Sequence, residues 1–347
     1  MLQDSWNIRI WQEYLDCINA GGAVIFATFT YNDFCLPRYY YTDLEGNKDW
    51  FPCFSKRDRD RFLNSIRKRW EKAGFTGKNT CYSFKSIWAN EYGTTVGCTH
   101  RPHYHVQFFI PPEIMEYESK ECMKLQFKIS FEDYWKRLLQ SYWTVPHSSR
   151  PLGMVMWTPG ESIFVNSEFA SLYCSKYMFK SDTLLLNERV QKYLKDFGTL
   201  PPDGKCKGSF TSHWQSLHFG ESLVKRFDDV DTYINGVNFN LSSELKKGKV
   251  IRHKIPMYIE RKILYDYSRD DNRYILNEKG VEFKRKKFFS KLDKLCGRYK
   301  RYFDKDFLKS LLGDFDFKSS KSILKNFENF DDLSTYITSI LTFLYFA

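Results

Sequence analysis

Apolar residues recur along the first half of the chain in two rhythms, one helical and one extended. Over residues 1–20, Trp6, Ile10, Leu15 and Ile18 form an approximate helical stripe, which Gly21-Gly22 ends. Ala23 to Tyr31 (Ala-Val-Ile-Phe-Ala-Thr-Phe-Thr-Tyr) is apolar on both faces and reads as a central strand closed by Asn32-Asp33. Lys56 to Lys72 carries Phe62, Leu63, Ile66 and Trp70 at helical spacing. Cys81 to Tyr92 reads as a strand through Tyr82, Phe84, Ile87 and Trp88, and Arg101 to Ile110 as another. The Gly-containing loop between them, Gly93 to His100, predicts a hairpin. Further elements are a helix over Glu132 to Tyr142, with Tyr134, Trp135, Leu138, Leu139 and Tyr142 inward, and a short strand over Gly153 to Trp157. A helix over Asn166 to Lys180 follows, capped at Asn166 or Ser167. The pattern predicts an α+β fold with a central antiparallel sheet flanked by helices.

Beyond residue 183 the periodicity weakens. Thr199 to Gly208 is a Pro/Gly-containing loop and a candidate boundary, Ser209 to Ser222 holds His213, His218 and Gly220, and Ile255 to Leu264 has the composition of ordered chain. Glu282 to Arg301 carries nine Lys/Arg against Glu282 and Asp293, a basic helix or arm. The apolar run Tyr336 to Ala347 is too short to span a bilayer and reads as a helix packed on the body. The expected organisation is a first segment over 1–182 that carries the chemistry, an accessory segment over 183–270 and a basic, mostly helical C-terminal region over 271–347.

Composition sharpens this. Lys+Arg outnumber Asp+Glu by 53 to 42, a formal net charge of +11, which points to a polyanionic partner, most simply nucleic acid. Aromatics make up 18% of the chain, mostly core, although aromatics beside basic residues also suit base stacking. The nine cysteines are scattered without a Cys-x-x-Cys, as expected of reduced thiols in a cytosolic protein. The chain opens with Asp4 and no apolar signal core. On the helix over 56–72, Arg57, Arg59, Arg61, Arg67, Lys68 and Arg69 form either a solvated face or a phosphate-contacting one.

The chemistry centres on Arg101-Pro102-His103-Tyr104-His105. Side chains alternate along a strand, so His103 and His105 share a face and Tyr104 takes the other. Two imidazoles on one rigid face suit one divalent metal. In the expected hairpin Glu91 sits beside them, and a carboxylate with two histidines leaves open positions on Mg²⁺ or Mn²⁺ for a phosphate oxygen. Downstream, Tyr173 and Tyr177 lie one helical turn apart, with Lys176 and Lys180 close by. A metal at the histidines could polarise a phosphodiester while a tyrosine hydroxyl attacks, leaving a phosphotyrosine and a free 3′-hydroxyl. Two such tyrosines could alternate. Lys176 or Lys180 could favour the phenolate or protonate the leaving oxygen.

These motifs carry a resemblance. His103-Tyr104-His105 resembles the His-hydrophobic-His motif of rolling-circle replication nucleases, and Tyr173-Cys174-Ser175-Lys176-Tyr177 their Tyr-x-x-Lys-Tyr motif. Phe26 to Tyr31 looks like the strand motif that precedes both. Glu91-Tyr92-Gly93 before the histidines, and Ala170-x-x-Tyr173-x-x-Lys176-Tyr177-x-x-Lys180, are similar to the replication initiators of Microviridae phages, gokushoviruses especially. Leu217-His218-Phe219-Gly220 and Pro256-x-Tyr258 look like that group's downstream segments. The likeness runs in blocks over about 23–264. It implies an HUH endonuclease-like sheet, Mg²⁺ or Mn²⁺ and nicking of one strand at the viral origin. It also implies a 5′-phosphotyrosyl intermediate, His103 and His105 as metal ligands, Glu91 as a third, and Tyr173 and Tyr177 as nucleophiles. Candidate DNA contacts are Arg101, Arg67, Lys68, Arg69, Thr28, Thr30 and Tyr31. The implied partners are single-stranded and origin DNA with the host helicase and polymerase, in the bacterial cytoplasm, without membrane or small-molecule cofactor.

Other readings compete. Cys98-x-His100-x-x-His103-x-His105 offers softer ligands for zinc or copper, in a non-catalytic nucleic-acid-binding protein, but the run is too tight to close a tetrahedron while staying a strand. A transposase or plasmid relaxase shares the histidine motif; the paired tyrosines and Glu-Tyr-Gly lean toward the phage initiator.

Overall fold

The structure is a computed structural model. It describes residues 2–76, 84–93, 101–157, 161–167, 172–178, 187–201, 210, 213–226, 237–239, 251–253, 255–284 and 286. These fall into two compact units, the first drawn from Met1–Ser222 and Asn240–Lys249, the second from Leu223–Phe239 and Val250–Ala347.

In chain order the first unit comprises α1 (Leu2–Asn19), β1 (Ala23–Phe29), β2 (Arg38–Thr42), β3 (Lys48–Pro52), α2 (Lys56–Lys72) and β4 (Lys85–Tyr92). It continues with β5 (Pro102–Ile110), α3 (Pro112–Met123), α4 (Phe131–Tyr142), β6 (Val155–Met156), α5 (Tyr173–Met178), α6 (Glu188–Phe197) and β7 (His213–Gln215). The second unit holds α7 (Leu223–Arg226), the paired strands β8 (Val237–Phe239) and β9 (Ile251–His253), α8 (Met257–Leu264), and the hairpin of β10 (Tyr265–Ser268) and β11 (Arg273–Leu276).

A five-stranded antiparallel sheet, in the order β6-β1-β5-β4-β7, forms the centre of the first unit. This is the α+β architecture that the alternation of apolar strands and amphipathic helices predicts. β4 and β5 form the expected antiparallel pair. On one face, Ile25, Ala27, Phe29, Trp88, Tyr104, Val106 and Phe108 pack against α2, α3 and α4 through Phe62, Trp70, Ile114, Trp135 and Trp143. The other face buries Val24, Ile87, Ala89 and Phe109 with Ile10 and Tyr14 of α1 and Cys174 and Met178 of α5. Much of the aromatic content is therefore core: Trp70, Trp88, Trp135 and Trp143 are all fully buried.

Local chemistry sets the element ends. Ser55 caps α2 by accepting from the Asp58 amide, and Phe62, Leu63, Ile66 and Trp70 face inward as their spacing predicts. Gly153 lies so close to the backbone of Thr30 that a Cβ there would stand 2.1 Å from the Thr30 carbonyl oxygen. Only glycine lets that segment seat β6 against β1.

Several elements escape periodicity. β7 is three residues long, and α3 buries only Ile114 and Glu118. The helix expected from Asn166 is described only over Tyr173–Met178; Asn166 and Ser167 are not helical, and residues 168–171 lie outside the described residues. The Leu217–Gly220 segment is a turn that α1 holds: Arg9 donates twice to the Phe219 carbonyl, at 3.1 and 2.9 Å, and the Gly220 amide donates to Glu13 at 2.7 Å. Gly220 adopts φ +72°, which favours glycine. Residues 202–209, the basic run from 287 to 301 and the apolar run over 336–347 lie outside the described residues. Among the described residues no helix is long and apolar enough to cross a membrane, and five cysteines, including Cys17 and Cys53, are free thiols. Burial pushes the thiols of Cys17 and Cys53 up to about 12.

Glu118 is fully buried, and Arg69 clamps its carboxylate through two bonds of 2.8 and 2.9 Å. Trp70 Nε1 donates to it at 2.7 Å, and the Tyr134 hydroxyl donates to it as well. Breaking such a pair strands a buried charge. Arg69→Met and Glu118→Gln should each cost about 3 kcal/mol in urea unfolding, with the double variant costing clearly less than the sum. Additive losses would show that the two groups are not coupled.

Candidate metal and tyrosine site

Three neighbouring strands build the site through their register. In the β4–β5 ladder Glu91 pairs with His103 and Ala89 with His105. On the other side Thr28 of β1 pairs with His105, and beyond β4 Ala89 pairs with His213 of β7. Directly paired residues point to the same face of a sheet, so Glu91, His103, His105 and Thr28 share one face. Tyr104 points the other way, as alternation predicts, and is fully buried.

On the shared face Glu91 Oε2 lies 2.8 Å from His105 Nε2 and 3.3 Å from His103 Nε2. One ligand atom from each of the three residues lies within 4.8 Å of the others. Among the described residues this is the metal-competent group of histidines and carboxylates. Glu91 is almost fully buried, while His103 keeps some exposure.

The outer nitrogens fix the rings. His103 Nδ1 lies 3.2 Å from the Arg101 carbonyl, which can only accept, so Nδ1 carries the proton. His105 Nδ1 lies 3.0 Å from Thr28 Oγ1. Neutral imidazoles held in this way aim Nε2 lone pairs at a carboxylate oxygen. Such converging electron density needs a cation or a proton between the groups. Atoms about 2.1 Å from an octahedral ion and at right angles to each other stand about 3.0 Å apart, which the two observed separations bracket. The donor set therefore fits one divalent cation. Thr28 and the Arg101 carbonyl supply the outer contacts that metal-binding histidines commonly need.

The tyrosine helix rests against this site. The Tyr177 ring stacks on His105 with centroids 3.8 Å apart, and Phe26 lies 6.0 Å from His105 in near-parallel orientation. Cys174 and Met178, on the buried side of α5, enter the core, while Lys176 is exposed. Ser175 bonds to Asn7, tying α5 to α1. Tyr173 opens the helix one turn before Tyr177; its side chain lies outside the described residues, as do Lys180, Cys98 and His100.

The other expected DNA contacts separate. Tyr31 is 4% exposed, and its hydroxyl lies between Asp58 and Tyr104, each at 3.1 Å, so its ring faces the core and not solvent. Thr30 Oγ1 is engaged with Met154, donating to its carbonyl and accepting from its amide. Arg69 is held by Glu118, and Arg67 lies 5.7 Å from the Phe84 ring centre. Lys68 is exposed. Arg101, beside the site, forms an ion pair with Asp33.

The sequence does not reveal that Thr28 orients a ligand or that His213 lies one strand from the site, because both depend on register across non-adjacent segments. Trp6 packs edge-on against His213 at 4.6 Å. Burial, with the Arg9 guanidinium as a smaller cause, depresses the His213 pKa to about 4.

Residues 24–182 match a family model described as replication-associated protein ORF2. No curated protein and no solved structure gives a significant match.

Thr28→Val should weaken Mn²⁺ binding by about 10–100-fold in calorimetric titration while leaving circular dichroism unchanged; unaltered affinity would remove Thr28 from the site. The depressed pKa of His213 stabilises the fold fully above about pH 6.5, and that contribution fades as pH falls toward about 4. Its size is ~3 kcal/mol, and His213→Gln should flatten the acid limb of the stability curve by about that amount. An acid limb of equal steepness in the variant would contradict this.

Proposed function

We propose that the chain is a rolling-circle replication initiator that nicks and rejoins one DNA strand through a 5′-phosphotyrosyl intermediate. One arrangement carries this reading: Glu91, His103 and His105 converge, and the Tyr177 ring lies on His105. The match of residues 24–182 to a replication-associated family model supports it. A divalent cation bound by these three residues would polarise the scissile phosphodiester and stabilise its developing charge. Two imidazoles favour Mn²⁺ among hard divalent ions, with Mg²⁺ the alternative.

The chain's own residues do the rest. Thr28 and the Arg101 carbonyl keep both Nε2 atoms facing the carboxylate. The phenolic oxygen of Tyr177 forms the new P–O bond as the P–O3′ bond breaks, and its proton passes to water. Lys176, or Lys180, donates a proton to the departing 3′ oxygen. The bond energy stays in the phosphotyrosine, so a 3′-hydroxyl can attack in reverse and reseal the strand. Tyr173, one turn away, serves as the second nucleophile. Single-stranded origin DNA is the proposed substrate, and host helicase and polymerase the proposed partners, in the bacterial cytoplasm during infection by a Microviridae phage.

A 3′-labelled pool of random-sequence single strands with Mn²⁺ tests the chemistry, because the product carries the DNA 3′ of the nick. Wild type should form a protease-sensitive adduct, Tyr177→Phe should lose most of it, and Tyr173→Phe/Tyr177→Phe should form none. His103→Ala/His105→Ala should also form none while keeping its circular dichroism. An adduct from the double-tyrosine variant would refute the nucleophile assignment.

A further inference from the structure

The β2–β3 hairpin is unused by the site chemistry. Its inner face is accounted for: Tyr39, Tyr41 and Phe51 pack against Tyr193, and Tyr41 also meets Phe197. Alternation then commits Arg38, Tyr40 and Thr42 to the outer face, where all three are exposed. Tyr40 is 67% exposed and pairs across the ladder with Trp50.

Two guanidiniums lie over that indole, Arg38 at 4.4 Å and Arg189 of α6 at 4.2 Å from the ring centre. Arg189 is also held by Asp49 and the Trp50 carbonyl, each at 3.2 Å. Lys192 lies 2.8 Å from Asp49 and 3.7 Å from Asp43, so cations of α6 offset these two acids of the hairpin. Glu45, at the turn, accepts from Asn47. The base of the outer face therefore presents one open phenol beside two guanidiniums that are already ordered.

We propose that this outer face is a docking platform for single-stranded DNA, with bases stacking on Tyr40 and on the guanidinium planes of Arg38 and Arg189. Guanidiniums fixed over an indole lose little entropy on meeting a base or a phosphate. An open tyrosine ring suits unpaired bases, whose faces a duplex hides. The chain's +11 charge fits a polyanion. Placement agrees: the Tyr92 hydroxyl donates to the Pro52 carbonyl at 2.7 Å, which ties the foot of the hairpin to the residue that follows Glu91. The platform rests on the reading of the chain as a DNA-processing protein but not on the cleavage chemistry.

The test uses the full chain in EDTA, a fluorescein-labelled oligothymidylate of about 20 nucleotides, longer than one common single-strand site, and a duplex of equal length. Arg38→Gln/Tyr40→Ser should bind the single strand at least about tenfold more weakly, with only a small change for the duplex. Its thermal midpoint should match wild type. Tyr40→Phe keeps the ring and should retain wild-type affinity, which also covers the case in which the double variant is unstable. Unchanged single-strand affinity, equal losses on single strand and duplex, or no oligonucleotide binding by wild type each overturns the platform. The Mn²⁺ adduct is scored separately. An adduct that forms while the variant binds normally leaves the nuclease reading standing without the platform. Normal platform binding without an adduct does the reverse.

Discussion

The register between β4 and β5 is the constraint on which the site depends. It sets Glu91 opposite His103 and brings His105 beside Thr28. A slip of one residue would turn Glu91 toward the aromatic core and carry Trp88 to the other face. Burial of Trp88, Tyr104 and Phe108 prevents that slip. The polar face is thus positioned by the energetics of the apolar one, and the ligand geometry inherits the rigidity of a close-packed aromatic layer.

Tyr104 shows the arrangement at a single residue. Flanked by the two histidines, it points away from them, and its hydroxyl accepts from the Ser55 amide at 2.9 Å and meets Tyr31. Burial pushes its pKa well up, so it stays a neutral phenol. Through Ser55, the cap of α2, the middle residue of the histidine motif also anchors the basic helix. Part of that helix's charge is spent internally, since Arg69 neutralises Glu118. A net positive charge on a helix therefore does not by itself mark a phosphate-contacting face.

Much of this was legible in the sequence, and the exceptions share a cause. The strand pair around Glu91 and the histidines, the inward stripe of α2 and the opposed orientation of Tyr104 follow from periods of two and 3.6. Thr28 as a ligand-orienting residue, Tyr31 as a buried one and β7 as the fifth strand depend on which distant segments become neighbours, and local pattern does not encode that. The β2–β3 hairpin was missed because its tyrosines alternate between two different surroundings without alternating in polarity.

The clamp of Arg9 and Glu13 on Phe219 and Gly220 has a consequence for how the protein comes into being. It closes a loop of some two hundred residues between the first helix and the turn that follows β7. Closure of so long a loop must await nearly all of the intervening chain, which makes it a late event in folding. During synthesis the edge of β4 beside the ligands stays open until residue 220 has left the ribosome. The order of assembly thus withholds the finished site from a partly made chain, and a fragment limited to residues 24–182 would lack both ends of the latch.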